Sequence, residues 1–358
     1  MIENVLNKPL IGWMASPGEH SDIVLSSRIR LARNLKQYAF PSIATDEILK
    51  KVAAAIALSL PDLNKSSNCS YQFIQLTDLS EQERSILVEK HLISPKHIEN
   101  AENRALLLRD DVAVSIMINE EDHLRIQSIV AGLGIQEAFT EADRIDDILE
   151  QRQDFAFHPE IGYLTACPTN VGTGMRASVM LHLPALVLLK RINRIVQGAT
   201  KLGFYVRGLY GKGSDTVGNI FQISNQLTLG VSEDEILSQL KKLVQQVIKE
   251  EQQARKDLLI KAKDSLTDRL WRAYGILAYG HMLSSQEALS LLSDMRLGID
   301  LDIITNENSR VFNELLVLTR PSCLQQYMGK KNIPADERNI LRAAVVRKKM
   351  REYRFRKE

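Results

Sequence analysis

The alternation of apolar and polar positions changes character about two thirds of the way along the chain. Before residue 230, short runs with the period of a strand are interspersed with amphipathic helical segments. Predicted strands cover 71–76, 104–108, 112–118, 162–166, 177–183, 204–209 and 219–224, and predicted helices cover 46–60, 80–92, 135–153 and 184–202. Antiparallel strands mixed with helices in this way predict an α+β fold.

Local signals support several of these boundaries. Ser80 with Glu83 three residues later matches a capping box, which predicts a helix start at that point. Pro61 is expected to end the helix over 46–60. The apolar runs on either side of Asp110 and Asp111 predict a hairpin.

The last third of the chain shows helical spacing throughout. Apolar residues recur every three or four positions over 232–263, 265–280, 285–297 and 336–353. We therefore predict an α+β domain over 1–254 and an all-helical domain over 255–358. Because nothing near Ala254 resembles a linker, the boundary could lie anywhere along the long helix.

Composition and cysteine usage narrow the class of protein. The 358 residues are 44% hydrophobic and 25% charged, which is ordinary for a globular chain and excludes a disordered or fibrous one. No apolar run approaches the ~18 residues of a membrane span, and the first residues do not resemble a secretory signal. Cys69, Cys167 and Cys323 are too scattered for a disulfide framework or a zinc site, which favours a reducing cytoplasm.

The net charge of +2 is unevenly distributed. From Arg342 to Glu358 there are eight basic residues and two acidic ones. A basic terminus of this kind can bind nucleic acid, an acidic partner or a phosphorylated ligand. A solvated helix end is the simpler alternative.

Five arginines stand out because of the residues around them. Arg28 and Arg30 lie two apart, so on a strand both would project from one face. Arg125, Arg176 and Arg207 lie in segments otherwise rich in small residues. If they converge, they could neutralise a triphosphate and its transition state, as phosphoryl transfer requires. Taken alone, each could equally be a surface arginine paired with a carboxylate.

The glycine-rich segment GTGMRA does not indicate a dinucleotide site. It lacks the GxGxxG spacing and leads into a predicted strand rather than a helix. The P-loop pattern GxxxxGK[ST] is also absent.

Three segments together resemble the guanidino (phosphagen) kinase superfamily. SSRIR, NEEDHLRI and CPTNVGTGMRASV occur in the expected order, and the resemblance covers residues 26–226. Creatine and arginine kinases have a helical domain before the first arginine pair, whereas here that pair begins at Arg28. The arrangement here, a catalytic domain without that preceding helical domain and with a helical domain after it, is similar to that of bacterial protein arginine kinases of the McsB type. These phosphorylate arginine side chains in proteins with Mg-ATP.

The resemblance implies a nucleotide site, in which the five arginines hold the phosphates of ATP and His91 packs near the adenine. For His91, a surface or core histidine is the alternative. The implied ATP-binding residues are Ser27, Arg28, Ile29, Arg30, Leu31, His91, Arg125, Arg176, Ala177, Ser178, Val179, Met180, Arg207, Gly208, Leu209, Tyr210, Gly211 and Lys212.

Two further residues would act on the acceptor. Glu121 would be the catalytic carboxylate, because a guanidinium is no nucleophile until a carboxylate orients it and accepts a proton. The alternative for Glu120, Glu121 and Asp122 is a solvated acidic turn. Cys167 corresponds to the reactive cysteine of the superfamily and could help to orient the guanidinium, whereas Cys69 and Cys323 have no such context.

The sequence departs from the superfamily at Lys212, where a second acidic residue of the acceptor pocket is usual. A cation there would repel an incoming guanidinium. Lys212 could turn outward or pair with Asp215, the enzyme could be slow or depend on an activator, or the chain could be a pseudokinase that binds nucleotide or phosphoarginine without transfer.

We expect the substitution Lys212→Glu to raise the rate of phosphoryl transfer, because it removes the repulsion between the lysine and the incoming guanidinium. Initial rates at saturating ATP would measure this. An unchanged or lower rate would count against the repulsion.

A second departure lies in the predicted helical domain. Protein arginine kinases carry an RDxxRA motif that captures phosphoarginine, and here the motif comprises Arg338, Asn339, Arg342 and Ala343, with Asn in place of Asp. Asparagine keeps an acceptor but loses the charge, so weaker phosphoarginine binding is expected. An ordinary basic helix is the alternative.

The resemblance further implies a cytoplasmic homodimer that marks proteins for a Clp ATPase-protease. Its implied partners are the activator McsA and, as a substrate, the heat-shock repressor CtsR, with no direct nucleic-acid or membrane contact and no resident metal. Two other functions stay open. One is an inactive adaptor or phosphoarginine reader, and the other is a small-molecule guanidino kinase.

Overall fold

The computed structural model describes residues 1–66, 69–209, 216–305 and 311–353. Its strands are β1 (Val24–Arg33), β2 (Tyr71–Gln75), β3 (Ala105–Arg109), β4 (Val114–Ile118), β5 (Leu124–Ala131), β6 (Phe157–His158), β7 (Gly162–Tyr163), β8 (Met175–His182), β9 (Phe204–Gly208) and β10 (Ile220–Asn225). Its α-helices are α1 (Ile2–Asn7), α2 (Asp46–Ala57), α3 (Leu60–Ser66), α4 (Glu81–Glu89), α5 (Pro95–Ile98), α6 (Ile135–Glu150), α7 (Pro184–Leu188), α8 (Ile192–Lys201), α9 (Glu233–Lys261), α10 (Lys263–Tyr279), α11 (Ser285–Asp300), α12 (Val311–Leu318), α13 (Pro321–Tyr327) and α14 (Ala335–Glu352).

An antiparallel sheet organises the first two thirds of the chain. Within the described residues its eight strands lie in the order β2-β3-β4-β5-β1-β8-β10-β9, and every neighbouring pair is antiparallel. The strands β6 and β7 pair separately as a short ribbon. The predicted α+β class is confirmed.

The two faces of the sheet differ because side chains alternate along each strand. On β1, Ile29 and Leu31 are buried in an apolar layer shared with helices α6 and α9, for example Ile145 and Val244. The intervening residues of β1 project from the opposite face. That second face is the one that carries the polar site described below.

The C-terminal helices α10–α14 form a second apolar core together with the N-terminal segment and α4. Phe312, Leu315 and Val346 pack in one cluster with Leu6 and Leu87. Helix α13 lies against α4, so the C-terminal helices approach the polar face of the sheet. Among the described residues, none of the helices is long and apolar enough to cross a membrane.

Most predicted elements are confirmed, including the capping box of Ser80 and Glu83 and the β3–β4 hairpin. Pro61, however, lies in the first turn of α3 instead of ending the preceding helix. A proline is tolerated there because its missing N–H has no partner in a first turn. The helix predicted over 184–202 is two helices, since Lys190 between them has a φ of 57°. Of the strand predicted over 162–166, only Gly162–Tyr163 forms.

Candidate active site

The five arginines predicted to bind phosphate lie on one face of the sheet. They come from four strands: Arg125 from β5, Arg28 and Arg30 from β1, Arg176 from β8 and Arg207 from β9, with β10 between the last two strands. Arg30 lies directly opposite Arg176 in the β1–β8 register. Like charges directly opposite one another destabilise a sheet, so this face favours an anion bound between them.

The charge of this cluster is poorly compensated around β1. Arg28 donates hydrogen bonds to two neutral side chains, with its Nη2 3.1 Å from Gln222 Oε1 and its Nε 3.4 Å from Ser178 Oγ. Burial, followed by the charges of Arg207, Arg125 and Arg176, lowers the pKa of Arg28 to about 10. Among the described residues, no carboxylate forms an ion pair with Arg28. Its positive charge is therefore left without a matching negative charge.

Burial and like charges also oppose the positive charge of Arg30. Burial, and then the charges of Arg28, Arg125 and Arg176, hold its pKa well below the usual value. Its buried Nε has no hydrogen-bond partner within the described part of the chain. A polyanion would supply both the missing acceptor and the missing negative charge.

A cavity of about 540 Å³ opens over this face. Arg28, Arg30, Arg207 and Gln222 line it from the sheet, and His91 lines it from the segment that follows α4. Burial and the charges of Arg28 and Arg320 lower the pKa of His91 to about 3, so its imidazole is neutral at physiological pH. A volume of this size is suitable for a nucleotide.

The other residues predicted to bind ATP lie on both faces of the sheet. Ser178 and Met180 share the face of the arginines, and Gly208 and Leu209 lie at the end of β9, where both line the cavity. The side chains of five others are buried on or towards the opposite face, so any contact they make with a ligand would be through backbone atoms: Ser27, Ile29, Leu31, Ala177 and Val179. Three more, Tyr210, Gly211 and Lys212, lie outside the described residues.

The turn before β5 presents one accessible carboxylate. Glu120 is buried, forms a 2.6 Å ion pair with Arg125 and accepts a hydrogen bond from Ser94. Glu121 has a side chain that is 25% exposed, with its oxygens 3.2 Å from Arg125 Nη2 and 3.0 Å from Lys96 Nζ. Of the two glutamates, Glu121 is the one that a substrate can reach.

Asp122 links this turn to the segment before Cys167. Its Oδ1 accepts hydrogen bonds from Asn34 Nδ2 (2.7 Å) and from the backbone N–H of Ala166 (2.6 Å). Burial raises the pKa of Asp122 even though these donors oppose the shift. The solvated acidic turn considered from the sequence is therefore wrong for Glu120 and Asp122, which are both buried.

Cys167 lies half-buried at the end of that segment. Its Sγ is 3.0 Å from Thr169 Oγ1. The charges of both Cys167 and Glu121 act on the guanidinium of Arg176 and raise its pKa, against the larger effects of burial and the neighbouring arginines. Cys167, Glu121 and the arginine cluster thus share one site. Cys323, by contrast, is buried, and burial raises the pKa of its thiol.

Two glycines that follow Cys167 allow the backbone to pack closely against neighbouring segments. Gly172 has a φ of 109°, and a Cβ there would lie 2.1 Å from the carbonyl oxygen of Thr228. Gly174 has a φ of 64°, and its Cβ would lie 2.6 Å from Arg33 Nη1. Only glycine fits both positions, and the close packing they allow places Arg176 at the start of β8.

The predicted phosphoarginine motif lies at the start of α14. Arg342 is 2% exposed, and its guanidinium donates to the carbonyl oxygens of Thr319 and Leu283 and to Asn339 Oδ1, each at 2.8 Å. Ala343 is fully buried, and Arg338 donates to the carbonyl of Ile333. The structure therefore gives Arg342 a role within the C-terminal helices, and phosphoarginine binding stays a prediction.

Several residues of this site were not found from the sequence. Lys96, Gln222 and Arg320 lie in segments without a recognisable motif, and only the fold brings them to the cavity or to Glu121. Among the residues that the structure describes, no group of three or more His, Cys, Asp or Glu side chains could hold a metal ion.

Comparison with known families agrees with this geometry. Residues 51–254 match the family described as ATP:guanido phosphotransferase, C-terminal catalytic domain, and residues 263–358 match the protein-arginine kinase McsB C-terminal domain. The chain is 47% identical over 350 residues to the protein-arginine kinase of Halalkalibacterium halodurans, covering 98% of each chain. It is 48% identical over 346 residues to that of Brevibacillus brevis, covering 97% of each.

Solved structures show the same fold in the catalytic part. A lombricine kinase superposes with a TM-score of 0.57 and 26% identity over 68% of this chain and 69% of its own. The duplicated taurocyamine kinase of Schistosoma mansoni, with bound transition-state-analogue components, has the same TM-score and identity over 68% of this chain and 34% of that one. With both family domains matched and relatives aligned end to end, the chain belongs to the protein-arginine kinases, a family of ATP:guanido phosphotransferases.

Proposed function

We propose that the protein transfers the γ-phosphoryl group of ATP to arginine side chains of protein substrates. The observation that carries this proposal is the placement of Glu121 beside a face of five arginines that lacks matching negative charge around β1. Membership of the protein-arginine kinases supports the choice of acceptor.

In the proposed reaction, the arginines bind the phosphates of ATP and compensate the charge that develops during transfer. A guanidinium nitrogen of the acceptor attacks the γ-phosphorus in line with the leaving oxygen of ADP. The N–P bond forms, the P–O bond to ADP breaks, and one guanidinium proton passes to Glu121. Mg²⁺ arrives with ATP as part of the substrate, since it prefers phosphate oxygens.

Two cations hold Glu121 before the substrate arrives. Arg125 is partly buried and is also paired with Glu120, whereas the side chain of Lys96 is about half exposed. An incoming guanidinium would displace Lys96, because an exposed ion pair contributes little. Arg125 would remain and keep the carboxylate oriented.

Cys167 and Asp122 would act on the acceptor side. The Cys167 thiol follows the backbone that Asp122 joins to the Glu121 turn, and we propose that it orients the acceptor guanidinium there. Asp122 acts as a positioning residue, because its carboxylate joins the backbone before Cys167 to the turn that carries Glu121.

The cellular context belongs to the same proposal. We expect Mg-ATP as the co-substrate, a homodimer in the cytoplasm, activation by McsA, the repressor CtsR as a substrate and delivery of marked proteins to a Clp ATPase-protease. We also keep phosphoarginine binding by the helical domain, over 255–358, as part of the proposal. Support for these points comes only from the family resemblance.

A second candidate is a reader or adaptor that binds nucleotide without transfer. Lys212 favours it, because a lysine stands where a second acidic residue of the acceptor pocket is usual. A small-molecule guanidino kinase is the third candidate.

One assay separates the three. The chain is incubated with ATP labelled at the γ-position and with free arginine, creatine or an unfolded arginine-rich protein. We expect acid-labile label on the protein acceptor, and none on a matched protein in which lysine replaces every arginine. Label on the small molecules would indicate the third function, and binding of ATP without any transfer would indicate the second.

A further inference from the structure

One side chain from the C-terminal helices reaches the nucleotide cavity. Arg320, the residue immediately before α13, lines the cavity together with Arg28, His91 and Glu89. The other described lining residues all lie in the first 222 positions of the chain. Part of the cavity wall therefore comes from the C-terminal third of the chain.

The backbone at Arg320 is fixed from both sides. Its carbonyl accepts the N–H of Leu324 at 2.9 Å, and Arg342 Nε donates to the preceding carbonyl, that of Thr319, at 2.8 Å. The carboxylate of Glu89, at the end of α4, accepts the N–H groups of Ser322 (2.9 Å) and Cys323 (2.8 Å). These contacts attach the Arg320 segment to the wall of the cavity.

The position of Arg320 separates it from the transfer chemistry. Glu121 and Cys167 lie near Arg125 and Arg176, so the γ-phosphate belongs at that end. Glu89, His91 and Arg320 instead line the cavity at the end of α4, and none of the four residues just named is among its described lining residues. An extended nucleotide whose phosphates follow the arginines on the sheet would therefore have its ribose and base near His91 and Arg320.

We propose that Arg320 is a nucleotide-contacting residue, supplied by the C-terminal helices, that binds the nucleoside end of ATP. The inference rests on the proposed function for the identity of the ligand. A guanidinium suits this end because its planar face stacks on an aromatic base and its N–H groups donate to ribose or base acceptors. His91 lines the same cavity as Arg28 and Arg320, so one ligand in that cavity can contact all three side chains.

The test compares ATP with inorganic tripolyphosphate, which has the phosphates without the nucleoside. Dissociation constants are measured by calorimetry on the full chain for the wild type, Arg320→Gln and Lys348→Gln. Lys348 is an exposed residue of α14 and is the matched control. We expect Arg320→Gln to weaken ATP binding by about tenfold or more, with little change for tripolyphosphate, because charged hydrogen bonds are lost at one end only. We expect Lys348→Gln to bind both as the wild type does.

Two results would overturn the inference. They are an unchanged affinity of Arg320→Gln for ATP, or an equal loss of affinity for ATP and tripolyphosphate. If circular dichroism shows that Arg320→Gln is unfolded, Arg320→Lys decides by the same comparison, since lysine keeps the charge and loses the planar fork. A wild type that binds ATP with this selectivity but labels no protein would refute the proposed function and leave the role of Arg320 intact.

Discussion

Arg30→Met is expected to lower the rate of phosphoryl transfer by about 10³-fold and, without nucleotide, to raise the stability of the fold. The rate falls because an arginine that compensates the transferred charge is lost. The stability rises because burial and three neighbouring arginines oppose the charge on Arg30, whose pKa is well below its ordinary value. A basic group with a lowered pKa in the fold destabilises that fold at every pH where it is charged. We expect a gain of about 1–2 kcal/mol in the free energy of unfolding.

Urea unfolding without ligand and initial rates with saturating ATP measure the two effects. Arg194→Met, on the exposed side of α8, is the matched control and should change neither quantity. Tripolyphosphate should raise the melting temperature of the wild type more than that of Arg30→Met, since the ligand stabilises the protein that binds it better. If Arg30→Met unfolded more easily than the wild type, repulsion among the arginines would not determine the stability of this face of the sheet.

Glu121→Gln is expected to reduce turnover by about 10²–10⁴-fold while the affinity for ATP stays within a factor of two. The amide cannot accept the guanidinium proton, although it has nearly the same size and can still contact Arg125 and Lys96. Because Glu121 is not among the residues that line the cavity, and Arg125 keeps its ion pair with Glu120, the affinity for ATP should change little.

Single-turnover transfer to an arginine-containing protein, together with calorimetry for ATP, would measure this split. Glu102→Gln removes an exposed carboxylate that lines a different cavity, and it should behave as the wild type. If Glu121→Gln kept its turnover, Glu121 would not be the proton acceptor. A loss of ATP affinity equal to the loss of turnover would assign it to nucleotide binding instead.

The parts of the site that lie on regular strands could be predicted from the sequence. The spacing of Arg28 and Arg30 predicted one shared face, and the structure places both there with Arg176 directly opposite Arg30. The α+β class and the capping box of Ser80 also followed from local patterns. These features depend on the period of a strand or on a few neighbouring residues, which a sequence displays directly.

Features that depend on distant contacts could not be predicted in this way. Glu120 is buried against Ser94 whereas Glu121 stays partly exposed, although both pair with Arg125, and an acidic triplet does not reveal this difference. Arg320 reaches the cavity only because α13 packs on α4. The break at Lys190 is local, but it depends on a left-handed backbone conformation that the helical pattern of 184–202 does not reveal.

Helix α9 limits how the two parts of the molecule can move. Its 29 residues form one uninterrupted rod about 44 Å long, with Val244 and Val247 buried towards the sheet side and Leu258 near the far end. A sharp bend in such a helix would break backbone hydrogen bonds, so we expect α9 to move as one rigid unit. Ala262 joins α9 to α10 with φ −146° and ψ 30°, outside helical geometry. The chain therefore changes direction at Ala262, between two helices that otherwise follow each other directly.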